Sequence, residues 1–133
     1  MHTRGITGTL AVLLLAAFVG AACHRTPAEA AKPAFSESSL AAPSDPTLAL
    51  GQKVYRGDCA NCHNIGKKGA PRIGDAAAWT TRLGQGLPTL IAHATQGYSG
   101  PAGDEMPARG GNDALTDAEV AAAVAYLTAH SSE

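Results

Sequence analysis

Cys59-Ala60-Asn61-Cys62-His63 sets two thiols and an imidazole within five consecutive residues. Thiols separated by two residues reach the neighbouring vinyl groups of a porphyrin and add across them, and the histidine that follows directly comes up beneath the ring to bind the iron from one face. The pattern predicts one covalent haem c, attached through Cys59 and Cys62, with His63 as axial ligand. Half of a structural zinc site is the competing chemistry, but zinc needs four ligands, and His24, His93 and His130 lack the paired spacing that would complete the set. A thioredoxin-like redox pair would need a surrounding βαβ pattern, which the sequence lacks.

The second axial position has one strong candidate. Apart from Met1, the chain's only methionine is Met106, in Gly97-Tyr-Ser-Gly-Pro-Ala-Gly-Asp-Glu-Met-Pro-Ala-Arg-Gly-Gly111, a stretch with five glycines. Glycine permits unusual backbone angles and close approach, so such a loop can pass near a flat cofactor and present a soft thioether to the metal. A methionine serving as core filler would sit in a periodic apolar segment, whereas this one lies between Glu105 and Pro107. His93 is the rival ligand. It falls on an expected helix, and His/His ligation would give a lower potential than His/Met.

Four helices and essentially no strand are expected to position these groups. The first is capped by Ser44 or Asp45 with Pro46 in its first turn, and runs through Leu48, Leu50, Val54 and Tyr55 to deliver Cys59 at its end. The second follows a cap at or just before Asp75, runs to Leu83, and is stopped by Gly84 and Gly86. The third spans Pro88 to Gln96 and ends at Gly97. In the last, Thr116-Asp-Ala-Glu119 reads as a capping box, and Val120, Ala123, Val124 and Leu127 make one apolar stripe up to His130. Gly51 and Tyr55, with Ala122, Ala123 and Tyr126, predict a close crossing of the first and last helices.

The N-terminal third has a different character. His2 and Arg4 precede an uncharged run with an apolar centre from Leu10 to Val19 and then the small residues Gly20-Ala21-Ala22, the layout of an export signal over residues 1–22. The apolar centre is shorter than the roughly 20 residues of a spanning helix. Cys23 resembles the lipidated cysteine of a bacterial lipoprotein, with Gly20 where such boxes usually carry Leu. Cleavage near Ala28-Glu29-Ala30 is the competing reading. Residues 23–44, rich in Ala, Pro and Ser, read as a linker whose flexible span would be roughly 25 Å. The folded domain is then 45–133, small enough that a covalent haem would have to complete its core. The implied location is the periplasm, with a lipid anchor at Cys23 as an option.

With 10 basic and 11 acidic residues and no Lys/Arg-rich run, the chain carries no field for nucleic acid. Lys67, Lys68 and Arg72 form a local basic cluster close to the attachment motif, suited to meeting an acidic redox partner.

Together, the motif at Cys59–His63, Gly69-Ala-Pro-Arg72, Gly74-Asp75, Ala78-Trp79, His93-Ala94, the Gly97/Gly100/Gly103 series, Met106-Pro107, Arg109-Gly-Gly111 and Leu115-Thr-Asp resemble class I c-type cytochromes of the cytochrome c5 kind. The resemblance covers residues 48 to 127. It implies an all-α class I cytochrome c fold around one haem, with His63 and Met106 as metal ligands. It also implies that the Pro71 carbonyl accepts the ring N–H of His63, and that Trp79 packs at the haem and reaches toward a propionate. Some relatives carry a further disulfide in the domain, whereas Cys59 and Cys62 are the only cysteines within residues 45–133.

A hexacoordinate iron leaves no open position for a substrate, and no nucleophile-base pair or carboxylate dyad stands at motif spacing. The sequence thus reads as a single-electron carrier of a bacterial respiratory or related redox chain, not an enzyme. Its partners would be redox proteins, among them a terminal oxidase or reductase. The alternatives are an electron-entry subunit dedicated to one oxidoreductase, and a pentacoordinate haem enzyme or gas sensor.

Overall fold

The computed structural model describes Ser36, Glu37, residues 40–101 and residues 103–132. The expected export signal, Cys23 and most of the expected linker lie outside the described residues.

Asp45 accepts the Leu48 N–H over 2.8 Å and Pro46 occupies the first turn, which starts helix α1 at Pro46–Val54. The helix widens into a π-helical segment, Tyr55–Cys59, and continues as α2, Ala60–His63. Such widened turns gather at functional sites, and this one ends on the first thiol. Asp75 caps α3, Ala76–Leu83, by accepting the Ala78 N–H. Gly86 and Gly97 bracket α4, Leu87–Gln96. The Thr116–Glu119 capping box is formed in both directions and starts α5, Asp117–Ala129.

The crossing of the terminal helices is the anchor of the fold. A Cβ on Gly51 would overlap the Ala122 carbonyl oxygen, so only glycine lets α1 approach α5 this closely. Tyr55 and Tyr126 fill the flanks with ring centroids 5.6 Å apart. The expected stripe of Val120, Ala123, Val124 and Leu127 lines an internal apolar void, while Ala122 and Tyr126 are buried on a second face. The last helix is therefore buried on two sides, because it is clasped by α1 and also walls the interior.

Two features differ from the sequence reading. A short antiparallel pair is present, β1 (Tyr98–Ser99) with β2 (Glu105–Met106), in a register that sets Tyr98 across from Met106. Strands of two residues carry no alternating pattern for a sequence to display. Ordered packing also begins upstream of Asp45. The Glu37 carboxylate is 6% exposed, accepts the Tyr126 hydroxyl over 2.8 Å and pairs with Arg56 at 2.9 Å. Gln52 donates to the same Tyr126 oxygen. A composition count finds too few large apolar side chains in this stretch and has no means of seeing one buried carboxylate with two partners distant in sequence.

Candidate functional site

Cys59, Cys62, His63, Pro71, Trp79 and Met106 all line one cavity of about 720 Å³, within the range of cofactor pockets. Several elements bring them together. The π turn and α2 supply both thiols and the imidazole, the chain after α2 folds back to supply Pro71, α3 supplies Trp79, and β2 supplies Met106. The inner wall is apolar, with Leu90 and Ala94 from α4 and Val124 and Leu127 from α5.

His63 is 7% exposed, and its Nδ1 lies 2.8 Å from the Pro71 carbonyl oxygen. A carbonyl only accepts, so Nδ1 carries the proton and Nε2 keeps its lone pair for a metal. Burial holds the imidazole pKa below its usual 6.5, opposed by the Pro71 bond and assisted by the nearby Arg82 charge. The neutral, ligating form is thus favoured near neutrality. The loop that brings Pro71 into place is fixed by Ile73 N–H donating to the His63 carbonyl at 2.9 Å and by the Arg72 guanidinium on the Asn64 carbonyl at 3.1 Å.

Trp79 is 5% exposed and its ring centroid lies 6.3 Å from that of His63. Its indole N–H donates to the Arg72 carbonyl over 2.8 Å. That proton is engaged by a backbone carbonyl. The carbonyl next to the one serving His63 was already at hand, and a buried indole N–H takes the nearest fixed acceptor. Successive carbonyls of Pro71 and Arg72 therefore hold the two aromatic rings.

Neither Cys59 nor Cys62 is in a disulfide. Burial first, and then the charges of Asp58 and Cys62, push the Cys59 thiol up to about 11. Gly97 passes so near the Met106 segment that a Cβ there would sit 3.1 Å from the Met106 carbonyl oxygen, and its φ of +88° suits glycine. His93 also borders the cavity, but its ring stacks on Tyr98 at 4.4 Å. Lys67 and Lys68 are exposed at the cavity mouth, whereas Arg72 is exposed without lining it.

The residues present fit a haem. The cavity has apolar walls, two thiols at its edge, and a nitrogen and a sulfur donor on separate elements, the donor types that suit haem iron. Sequence reasoning gave no role to Asn112, which donates to Asp58 at 2.8 Å, or to Arg109, whose guanidinium bonds the Leu115 carbonyl. Both sit in or beside a glycine-rich turn, where the sequence shows flexibility and not the bonds that remove it.

The cytochrome c family model matches residues 48–131. The chain is 49% identical over 83 residues to cytochrome c-555 of Chlorobaculum tepidum, a match that covers 62% of this chain and 76% of the relative. It is 34% identical over 80 residues to cytochrome c5 of Azotobacter vinelandii, covering 59% of this chain and 90% of that one. Among solved structures, it resembles a chain from a crystal structure of an electron transfer complex of nitrite reductase with cytochrome c. There the TM-score is 0.56 and the identity 40%, over 65% of this chain and 96% of that chain.

Proposed function

The chain belongs to the cytochrome c family and carries single electrons on one covalently bound haem c, and we propose that it does so through a closed His63/Met106 site. The observation that carries this reading is the shared cavity: one space with an apolar inner wall is lined by His63, Met106, Cys59 and Cys62 together. Bound there, the haem iron supplies a one-electron ferric/ferrous couple.

Each residue has a part in this reading. Cys59 and Cys62 hold the cofactor by thioether bonds, and His63 ligates through Nε2 with its ring oriented by Pro71. Met106 offers a soft sulfur that favours the reduced state. Leu90, Ala94, Val124 and Leu127 keep water from the metal. With His63 and Met106 both holding the iron, the site would move electrons and leave no position for a substrate, which would set it apart from a haem enzyme or gas sensor.

Docking by redox proteins at the cavity mouth is part of the proposal. Ile65 is 70% exposed beside exposed Lys67 and Lys68, giving an apolar contact with a basic margin. The likeness to a chain from a nitrite reductase complex supports an oxidoreductase partner. Among the described residues no helix is long and apolar enough to cross a membrane. We place the domain in the periplasm, tethered through a lipid on Cys23. Mass spectrometry of the mature N-terminus tests the tether, since an unmodified chain starting after Cys23 rejects it.

An optical redox titration of the holoprotein tests the main reading. The expected result is a single one-electron wave between two low-spin forms. A high-spin resting ferric state would reject the closed site.

A further inference from the structure

Arg109 stands in the turn that follows Met106, with φ +53°, in the left-handed region. Glycine takes that conformation freely, as Gly110 and Gly111 do next to it at +66° and +90°, but a side-chain-bearing residue is disfavoured there. The arginine side chain offsets that cost with two contacts. One guanidinium nitrogen donates to the Leu115 carbonyl over 2.7 Å and another to the Asp117 carboxylate over 2.6 Å. The Asp117 side chain is 78% exposed and that of Arg109 only 25%, so the bond to the carbonyl is the better protected of the two.

Leu115 and Asp117 flank Thr116, the cap of α5, and α5 is locked against α1 at Gly51. The guanidinium thus ties the turn after Met106 to the start of the helix that packs closely on α1. Before the turn, the pairing of Met106 with Tyr98 fixes the other side. Arg109 also lines the small apolar void shared by Met106 and His63.

We propose that Arg109 is a positioning residue for the Met106 thioether, holding the ligand-bearing turn against the start of α5 and so slowing departure of the sulfur from the metal. This rests on the reading of Met106 as an iron ligand. It assigns the left-handed arginine a purpose that glycine could not serve.

The test uses the full holoprotein in its ferric form, with imidazole as the competing ligand. Imidazole enters only when the sulfur leaves, so its binding rate reports how often Met106 is released. Arg109→Gly removes both the guanidinium and the backbone strain. We expect its imidazole binding to be roughly tenfold faster, the effect of losing one charge-assisted hydrogen bond. Arg109→Lys keeps the charge but cannot make both contacts, and should fall between Arg109→Gly and the unsubstituted protein. If the weak red absorption of sulfur-ligated ferric haem is present in all three proteins and Arg109→Gly binds imidazole no faster than the unsubstituted protein, the positioning role is wrong. Absence of that band from the unsubstituted protein would instead overturn the ligand reading, and the role of Arg109 with it.

Discussion

The Pro71 carbonyl oxygen stands 2.8 Å from Nδ1 of His63, and proline fixes the backbone that presents it. This bond sets the tautomer and orients the ring; with His63 as the proposed iron ligand it would also strengthen donation to the metal and favour the ferric state. Pro71→Ala keeps a carbonyl but frees its φ. We expect the reduction potential of the holoprotein to rise by on the order of 30 mV, about half the 59 mV of a tenfold change in a one-electron couple. An unchanged potential would show that the proline carbonyl is not tuning the ligand.

The next carbonyl, that of Arg72, is committed to Trp79. Trp79→Phe keeps an aromatic ring in the wall and loses the indole N–H. Chemical denaturation of the holoprotein should register a loss of about 1–2 kcal/mol, with the potential nearly constant. A large potential shift at unchanged stability would mean that the indole serves the cofactor and not the backbone.

At the helix crossing there is no room for a methyl group. In Gly51→Ala the new Cβ meets the Ala122 carbonyl and the Tyr126 Cβ, neither of which is the end of a flexible side chain. Overpacking against backbone costs about 3 kcal/mol. The denaturation midpoint should fall accordingly, and a midpoint within error of the unsubstituted protein would contradict the crossing.

The start of α5 has a pH signature. Glu119 accepts the Thr116 N–H at 2.9 Å and the Thr116 hydroxyl at 2.8 Å, and these bonds, the backbone one foremost, hold its carboxyl below the usual 4.5. A depressed folded-state value means that the stabilisation is complete above about 4.5 and is lost as pH falls through the folded-state pKa. The stability difference between the protein and its Glu119→Gln variant should be present at pH 7 and vanish in acid. A difference constant down to pH 3 would remove the carboxylate from the account. Thr116→Ala, which deletes the cap itself, should cost about 1 kcal/mol at neutral pH.

Much of this arrangement was legible from residue types. Caps at Asp45, Asp75 and Thr116 start helices because a short side-chain oxygen meets orphan N–H groups locally, with no tertiary information needed. The Gly51 crossing was readable because glycine inside an apolar helix has few other uses. Hidden features depend on partners distant in sequence. Glu37 is buried by Tyr126 and Arg56, and Arg109 gains its purpose from Leu115 and Asp117. The indole of Trp79 could have gone to any acceptor, and only the folded chain puts the Arg72 carbonyl first. Strand pairing at Tyr98 and Met106 was hidden for another reason, since two residues make no period.

Met106 and His63 are proposed to serve the same metal. The most direct measurement is the red absorption of the ferric holoprotein, recorded for the unsubstituted chain and for Met106→Ala. The expected result is a low-spin spectrum with the weak sulfur-to-iron band in the first, and loss of that band in the second. If the band is absent from the unsubstituted protein, or survives in Met106→Ala, Met106 is not the ligand and the closed electron-transfer site is wrong.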